Sequence, residues 1–143
     1  ILLDLQNELH KTIVFITHDL DEALRIGDDI AILRDGELIQ KGSPQSIVLK
    51  PADDYVADFT KDVNRGRVLT LNTLSHESGA KEGLPLSSDL SIEEAMQEMI
   101  VTEHNLVTVM KEGKSIGQVS LNDMVAAIAK PKTSQTGSSN AYR

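Results

Sequence analysis

Residues 12–23 have the sequence TIVFITHDLDEA, and this stretch decides the fold class. Its first part, residues 12–16, is an unbroken run of β-branched and aromatic residues, which is typical of a parallel strand buried on both faces. Asp19 follows as a candidate N-cap, and two acidic residues come next, where the dipole of a new helix favours negative charge. A buried parallel strand that leads directly into a helix predicts an α/β fold.

The residues on either side extend this alternation of helices and strands. Asp35-Gly36 is a strong hairpin signal between two short strands, and Ser43-Pro44 is typical of a helix start. Apolar spacing predicts helices before and after these features. The first part of the chain is therefore predicted to contain helices at 2–10, 20–26, 44–49 and 53–61 and strands at 29–34 and 37–41.

A second ordered part is predicted after a stretch with little periodicity. Residues 63–83 are rich in Asn, Ser, Gly and charge, apart from one candidate strand at 68–71, and we predict a linker there. Residues 84–130 then predict a small β-α-β-β-α module. Its strands are expected at 84–86, 106–110 and 115–119, and its helices at 91–100 and 121–129. Residues 131–143 are rich in Ser, Thr and Gly and predict a disordered tail.

Composition excludes several classes of function. The 143 residues are 40% hydrophobic, which is sufficient for a packed core, and carry a net charge of −8 without a basic patch, so nucleic acid is not an expected partner. The absence of cysteine excludes disulfides and thiolate chemistry. The apolar run at residues 13–16, like every other apolar run in the sequence, is far shorter than the roughly 20 residues of a membrane-spanning helix. We expect a cytoplasmic location, and a piece of a longer protein, because the sequence opens without Met on a helical pattern.

His18 is the strongest candidate for a catalytic residue, because it follows the predicted strand at an edge where α/β sheets commonly bind ligands. The pattern T-H-D-x-x-E-A, then D-x-I-A-I-L-x-D-G-x-L-I-x-x-G-S-P, resembles the carboxyl part of ABC-transporter ATPase domains, and the resemblance covers residues 1–61. It implies that residues 1–62 are the carboxyl-terminal part of a P-loop-type ATPase domain. His18 would then contact the γ-phosphate of ATP and help to hold the attacking water, and an imidazole can make both hydrogen bonds.

The resemblance is closer still to the ATPase subunits of glycine betaine and proline betaine importers, in residues 12–33 and in the sequence PADDYV at 51–56. It implies transport of a quaternary-amine osmolyte, with ATP and Mg²⁺ as cofactors of the full-length protein. It further implies a second copy of the ATPase subunit and membrane permease subunits as partners, at the inner face of the cell membrane. Asp21 and Glu22 are not assigned a catalytic role, because the dipole of a helix start favours negative charge at these positions.

The sequence lacks the G-x-x-x-x-G-K-[ST] loop that holds the phosphates of ATP. Gly113-Lys114-Ser115 imitates the end of such a loop, but Thr108 stands where its first glycine is required, and a hairpin turn is predicted there. We therefore expect that this chain alone does not hydrolyse ATP. No metal site is predicted, because the other histidines lack partners at metal-ligand spacing.

Residues 115–123 provide a second candidate site. Their sequence, SIGQVSLND, resembles the G-h-h-[ST]-x-x-D stretch of CBS motifs, although Gln118 occupies a position that is usually apolar. The resemblance implies that Ser120 and Asp123 bind an adenine nucleotide, with the aspartate on the ribose hydroxyls. Serine followed three residues later by an acid is also an ordinary helix-capping arrangement, so a cap without a ligand is the alternative.

CBS motifs work in pairs, so the resemblance implies a pairing partner for residues 84–130, in cis or in trans. The combined prediction is a fragment of the ATP-hydrolysing subunit of an osmolyte importer, with an α+β CBS-like regulatory region. The alternative is a non-enzymatic fragment that acts in regulation or dimerisation through its CBS-like region.

Overall fold

The chain contains both helices and short strands, and the computed structural model describes residues 2–78 and 82–129. The strands form two small sheets, one with two strands and one with three, in a mixed α/β arrangement. In chain order the elements are α1 (Leu2–Leu9), α2 (Leu20–Ile26), β1 (Ile30–Arg34), β2 (Glu37–Gly42), α3 (Pro44–Leu49), α4 (Asp54–Thr60), α5 (Arg65–Val68), α6 (Leu71–Leu74), β3 (Leu84–Ser87), α7 (Ile92–Val101), β4 (Leu106–Lys111), β5 (Lys114–Ser120) and α8 (Leu121–Ile128).

The predicted buried strand at residues 12–16 is wrong. Residues 10–17 have no regular secondary structure, and Val14 and Ile16 are 85% and 91% exposed. A strand is stable only when neighbouring strands accept and donate its backbone hydrogen bonds, and neither of the two described sheets includes this segment. The β propensity of the segment is therefore not sufficient to make it a strand.

The hairpin and the helix starts predicted in the first part of the chain are confirmed. β1 pairs with β2 in antiparallel fashion, and Asp35 and Gly36 at the turn both have positive φ, as a type I′ turn requires. Asp19 and Ser43 each cap a helix by accepting a hydrogen bond from the backbone N–H three residues on. The helices pack on one face of the hairpin around a first core, which comprises Leu24, Ile30, Ile32, Ile47, Val48, Val56 and Val63.

The predicted β-α-β-β-α order in the last part of the chain is confirmed. β3 lies parallel to β4, and β4 lies antiparallel to β5. Parallel neighbours require a crossover connection, which here contains α7. The sheet and helices α7 and α8 enclose a second core, which comprises Leu69, Leu71, Ile92, Ala95, Met99, Val107, Val109, Val119 and Met124.

The candidate strand at residues 68–71 is wrong, because α5 ends at Val68 and α6 begins at Leu71. Leu69 and Leu71 alternate in burial as strand residues would, and both are fully buried. The Leu69 carbonyl accepts from the Ile92 N–H and the Leu71 N–H donates to the Leu90 carbonyl, but between these the described residues form only the single bridge Thr70–Ser91. Since the chain turns into a helix at Ile92, the ladder cannot continue.

Among residues 2–78 and 82–129, no helix has the length and the apolar character needed to cross a membrane. The predicted disordered tail, residues 131–143, lies outside the described residues.

Candidate functional site

His18 lies in a loop that leads from residues 10–17, which we call the irregular segment, into α2. The neighbours of His18 hold that loop. The Thr17 hydroxyl donates a 3.0 Å hydrogen bond to Oε2 of Glu22 and accepts one of 3.0 Å from the backbone N–H of Asp19. The Asp19 carboxylate in turn accepts from the backbone N–H of Glu22 at 3.1 Å. The residues on both sides of His18 are thus engaged in the loop, and the His18 side chain is exposed to solvent.

The surface around His18 is acidic. A shallow depression of about 320 Å³ beside it is lined by His18, Asp19, Leu20, Asp21, Phe59, Asp62 and Val63. Three of these residues are carboxylates and none is lysine or arginine. A polyphosphate would therefore be repelled here unless cations from elsewhere neutralise its charge. The described residues of this depression offer ATP one imidazole and no phosphate cradle, so they do not fit the nucleotide by themselves.

Ser120 and Asp123 form a reciprocal capping box at the start of α8. Oδ2 of Asp123 accepts hydrogen bonds from the Ser120 hydroxyl at 2.7 Å and from the Ser120 backbone N–H at 2.9 Å. In return, the Asp123 backbone N–H donates a 3.1 Å hydrogen bond to the Ser120 hydroxyl. The Ser120 hydroxyl, and then its backbone N–H, lower the pKa of Asp123 by stabilising the carboxylate. The capping geometry uses one carboxylate oxygen and leaves Oδ1 outside the box.

A second box of the same kind, which the sequence analysis missed, begins α7. Oε2 of Glu94 accepts a 2.9 Å hydrogen bond from the Ser91 backbone N–H and one of 2.8 Å from the Ser91 hydroxyl. The backbone N–H, and then the hydroxyl, lower the pKa of Glu94. The signal is visible in the sequence as Ser followed three residues later by Glu before an apolar run. Ser91 and Glu94 thus provide an internal reference for a cap outside the CBS-like stretch.

Gln118, the residue that departs from the motif, is only 4% exposed and lies in the middle of β5. Its side-chain amide donates to the carbonyl of Glu82 at 3.4 Å and to the Thr108 hydroxyl at 3.5 Å. The backbone of Gln118 pairs with that of His76. The polar side chain is therefore accommodated by polar neighbours in the sheet rather than by the apolar core.

The structure does not bring the predicted site residues together. His18 belongs to the loop before α2, whereas Ser120 and Asp123 are at the start of α8, and the depression beside His18 includes neither of them. Within the part of the chain that the structure describes, no three His, Asp or Glu side chains are grouped so that they could hold a metal ion.

An ion pair between α5 and α7 is a further feature that sequence reasoning missed. Nε of Arg67 donates a 2.9 Å hydrogen bond to Oε2 of Glu93, which is 26 residues further along the chain. Local sequence signals do not report a contact over such a separation, and Arg67 lies in the predicted linker.

Comparison with known proteins identifies relatives, although no protein-family model matches the chain. The chain is 58% identical over 73 residues to the glycine betaine/carnitine transport ATP-binding protein of Listeria monocytogenes, covering 51% of this chain and 18% of that protein. It is 38% identical over 128 residues to the trimethylamine N-oxide transport system ATP-binding protein of Pelagibacter ubique, covering 88% of this chain and 38% of that protein. It is 36% identical over 132 residues to the glycine betaine/proline betaine transport system ATP-binding protein of Salmonella typhimurium, covering 90% of this chain and 32% of that protein. The chain thus spans less than two fifths of the length of each of these relatives.

Proposed function

We propose that this chain is the carboxyl-side part of an ATP-hydrolysing importer subunit. Its homologues are ATP-binding proteins of the betaine, choline and carnitine importer family, and the chain matches a fragment of them. The cargo would be a quaternary-amine osmolyte, since the relatives' names include glycine betaine, choline and carnitine. The observation that carries the proposal is the exposed His18 in a loop whose other side chains are already engaged.

In the whole subunit, His18 would donate a hydrogen bond to the γ-phosphate of ATP and help to position water. The Thr17–Glu22 hydrogen bond and the Asp19 cap support this role, because they fix the backbone on both sides of the imidazole. The phosphates of ATP, with Mg²⁺, would be held by residues outside the described part of the chain, since the acidic lining of the depression repels phosphate. Bound ATP would supply the phosphoryl group, and His18 alone would not support turnover.

We further propose that residues 84–129 are a CBS-like regulatory module. The β-α-β-β-α order and the position of Ser120 and Asp123 at a strand-to-helix turn support this assignment. Oδ1 of Asp123, which the capping box leaves outside, could accept from a ribose hydroxyl of an adenine nucleotide. Ile100 and Val101 at the end of α7 and Val125 on α8 are 70%, 80% and 51% exposed, and a pairing module in cis or in trans would cover such apolar surface.

The expected partners of the whole subunit are a second copy of itself and membrane permease subunits at the inner face of the membrane. The net charge of −8 supports a protein partner over nucleic acid.

The test is a chimera in which residues 2–61 replace the matching segment of a related full-length transport ATPase. We expect the chimera to hydrolyse ATP, and His18→Asn to reduce the rate at least about 100-fold by removing a group that acts on the transferred phosphoryl. His10→Asn is the matched control, because His10 has a φ of 47° that asparagine tolerates, and this variant should retain the rate. Undiminished hydrolysis by the His18→Asn chimera would refute the role of His18.

The alternative function, a non-enzymatic regulatory or dimerisation fragment, is favoured by one observation, the acidic lining beside His18. It predicts that the isolated chain forms a dimer in sedimentation experiments and that Val125→Asp, placed in the exposed apolar surface of α8, makes it a monomer. A chain that stays monomeric at all concentrations tested would exclude this alternative.

A further inference from the structure

Residues 62–69, which we call the joint, lie between the two cores and pack into both. The Val68 side chain packs against the first core, and the next side chain, Leu69, is fully buried in the second core. Val63, at the other end of the joint, also belongs to the first core. Because Val68 and Leu69 are consecutive, no residue of the chain separates the first core from the second core at this point.

Hydrogen bonds fix the joint on both sides. On the side of the first core, the side-chain amide of Gln45 in α3 donates to the Val68 carbonyl at 3.1 Å. On the side of the second core, the backbone N–H of Ile92 in α7 donates to the Leu69 carbonyl at 2.9 Å. The ion pair between Arg67 and Glu93 makes a second connection to α7.

The joint also approaches α7 and α8 closely at Gly66, which is buried. A Cβ atom at this position would lie 3.4 Å from the Ile128 side chain and 3.7 Å from Cβ of Glu93. These are ordinary van der Waals distances, so the space between Gly66 and the two helices would hold about one methyl group. The direct connections between the joint and α7 are therefore the Ile92–Leu69 backbone hydrogen bond and the Arg67–Glu93 ion pair.

The other surface of the joint faces the His18 loop. Asp62 and Val63 line the depression beside His18. Asn64, Arg67 and Val68 line an adjoining cleft of about 430 Å³. The lining of this cleft also includes α2 and its N-cap, with Asp19, Asp21 and Arg25. The position of the joint therefore sets the width of the space next to His18.

We propose that the joint couples the second core mechanically to the His18 loop, so that displacement of α7 or α8 changes the cleft beside His18. Packed interiors are nearly incompressible and transmit displacements between discrete arrangements. A ligand or partner that shifts α7 would thus change the cleft beside His18 without contacting His18 itself. The use of this coupling to regulate ATP hydrolysis rests on the proposed function, whereas the coupling itself is a property of this chain.

The first test removes the Arg67 partner. In the isolated chain without nucleotide, Glu93→Gln should shift the NMR signals of the His18 imidazole and of the Val63 backbone amide. Glu98→Gln is the matched control, because Glu98 is exposed on the same helix, whereas the ion pair of Arg67 is made with Glu93. Equal signals for His18 in the wild-type chain and the Glu93→Gln variant would overturn the proposal.

The second test lengthens the joint by inserting Gly-Ser-Gly between Val68 and Leu69. Met99→Ala, which weakens the second core at a residue 1% exposed, should speed hydrogen exchange of the Ala23 amide in α2 at least about threefold in the uninterrupted chain. In the chain with the insertion, the same substitution should leave that exchange rate unchanged. If Met99→Ala leaves the exchange rate of the Ala23 amide unchanged in the uninterrupted chain, the two cores are not coupled. Neither test involves ATP, so they can fail while the proposed function stands, and the reverse.

Discussion

Oδ2 of Asp123 accepts two hydrogen bonds from Ser120, and Oε2 of Glu94 accepts the same two from Ser91. The two boxes differ by less than 0.2 Å in corresponding distances, although only the box at α8 lies in a stretch that resembles a ligand-binding motif. This equivalence makes Glu94 a control for any role assigned to Asp123.

The first prediction uses this pair to separate capping from nucleotide binding. Asp123→Asn and Glu94→Gln should each lower the free energy of unfolding by about 1 kcal/mol, since each removes one side of a box. Binding of an adenine nucleotide, measured by calorimetry, should weaken at least about tenfold in Asp123→Asn and stay unchanged in Glu94→Gln. Equal affinities in the two variants would leave Asp123 as a cap only.

The second prediction concerns acid. The folded-state pKa values of Asp123 and Glu94 are lowered by their serine partners, so the unfolded chain binds more protons below about pH 5 and unfolding becomes easier as the pH falls through the folded-state values. The contribution is fully present at neutral pH. Urea unfolding between about pH 3 and pH 7 should show this loss, with a shallower slope in the double variant Asp123→Asn/Glu94→Gln. An identical slope in the double variant would contradict the prediction.

The third prediction concerns Leu69, which is fully buried in the second core. Leu69→Ala should lower the free energy of unfolding by about 2–5 kcal/mol, because it removes buried methyl groups and leaves a cavity. Leu33→Ala is the matched control, since Leu33 is 60% exposed, and it should cost less than about 1 kcal/mol. Denaturant titration of both variants provides the measurement. A cost for Leu69→Ala as small as that for Leu33→Ala would mean that the region around residue 69 is not packed as described.

The fourth prediction concerns the loop that carries His18. Thr17→Val keeps the shape of the side chain but removes the hydroxyl that bonds Glu22 and Asp19. We expect faster hydrogen exchange of the Asp19 amide and a shifted His18 imidazole signal in NMR spectra. Thr12→Val in the irregular segment is the control and should change neither the exchange rate nor the imidazole signal. An unaltered His18 environment in Thr17→Val would show that this hydroxyl does not organise the loop.

Local chemistry made parts of this fold predictable. Asp35-Gly36 determines a tight turn through backbone conformations that few other residue pairs adopt, and Asp19 and Ser43 satisfy helix N–H groups within three residues. Such signals require no knowledge of the rest of the chain. The hairpin and the helix starts were therefore predicted near their observed positions.

Features that depend on distant partners were not predictable in the same way. Residues 12–16 have the composition of a strand but no strand lies beside them in the described sheets. The stretch at 68–71 alternates in burial like a strand, yet its burial comes from packing against α7 and the second sheet. The Arg67–Glu93 ion pair joins residues with no local relationship. The position of the His18 loop was predictable, whereas the joint beside it was not.

The exposed part of the irregular segment, residues 12–16, has a practical consequence. It is rich in β-branched residues, contains neither charge nor proline, and presents Val14 and Ile16 to solvent. Short uncharged segments of this kind readily stack with identical segments of other molecules as cross-β structure. For the isolated chain, the concentration at which aggregation begins would therefore be governed by these five residues, and a lysine in place of Val14 should raise it.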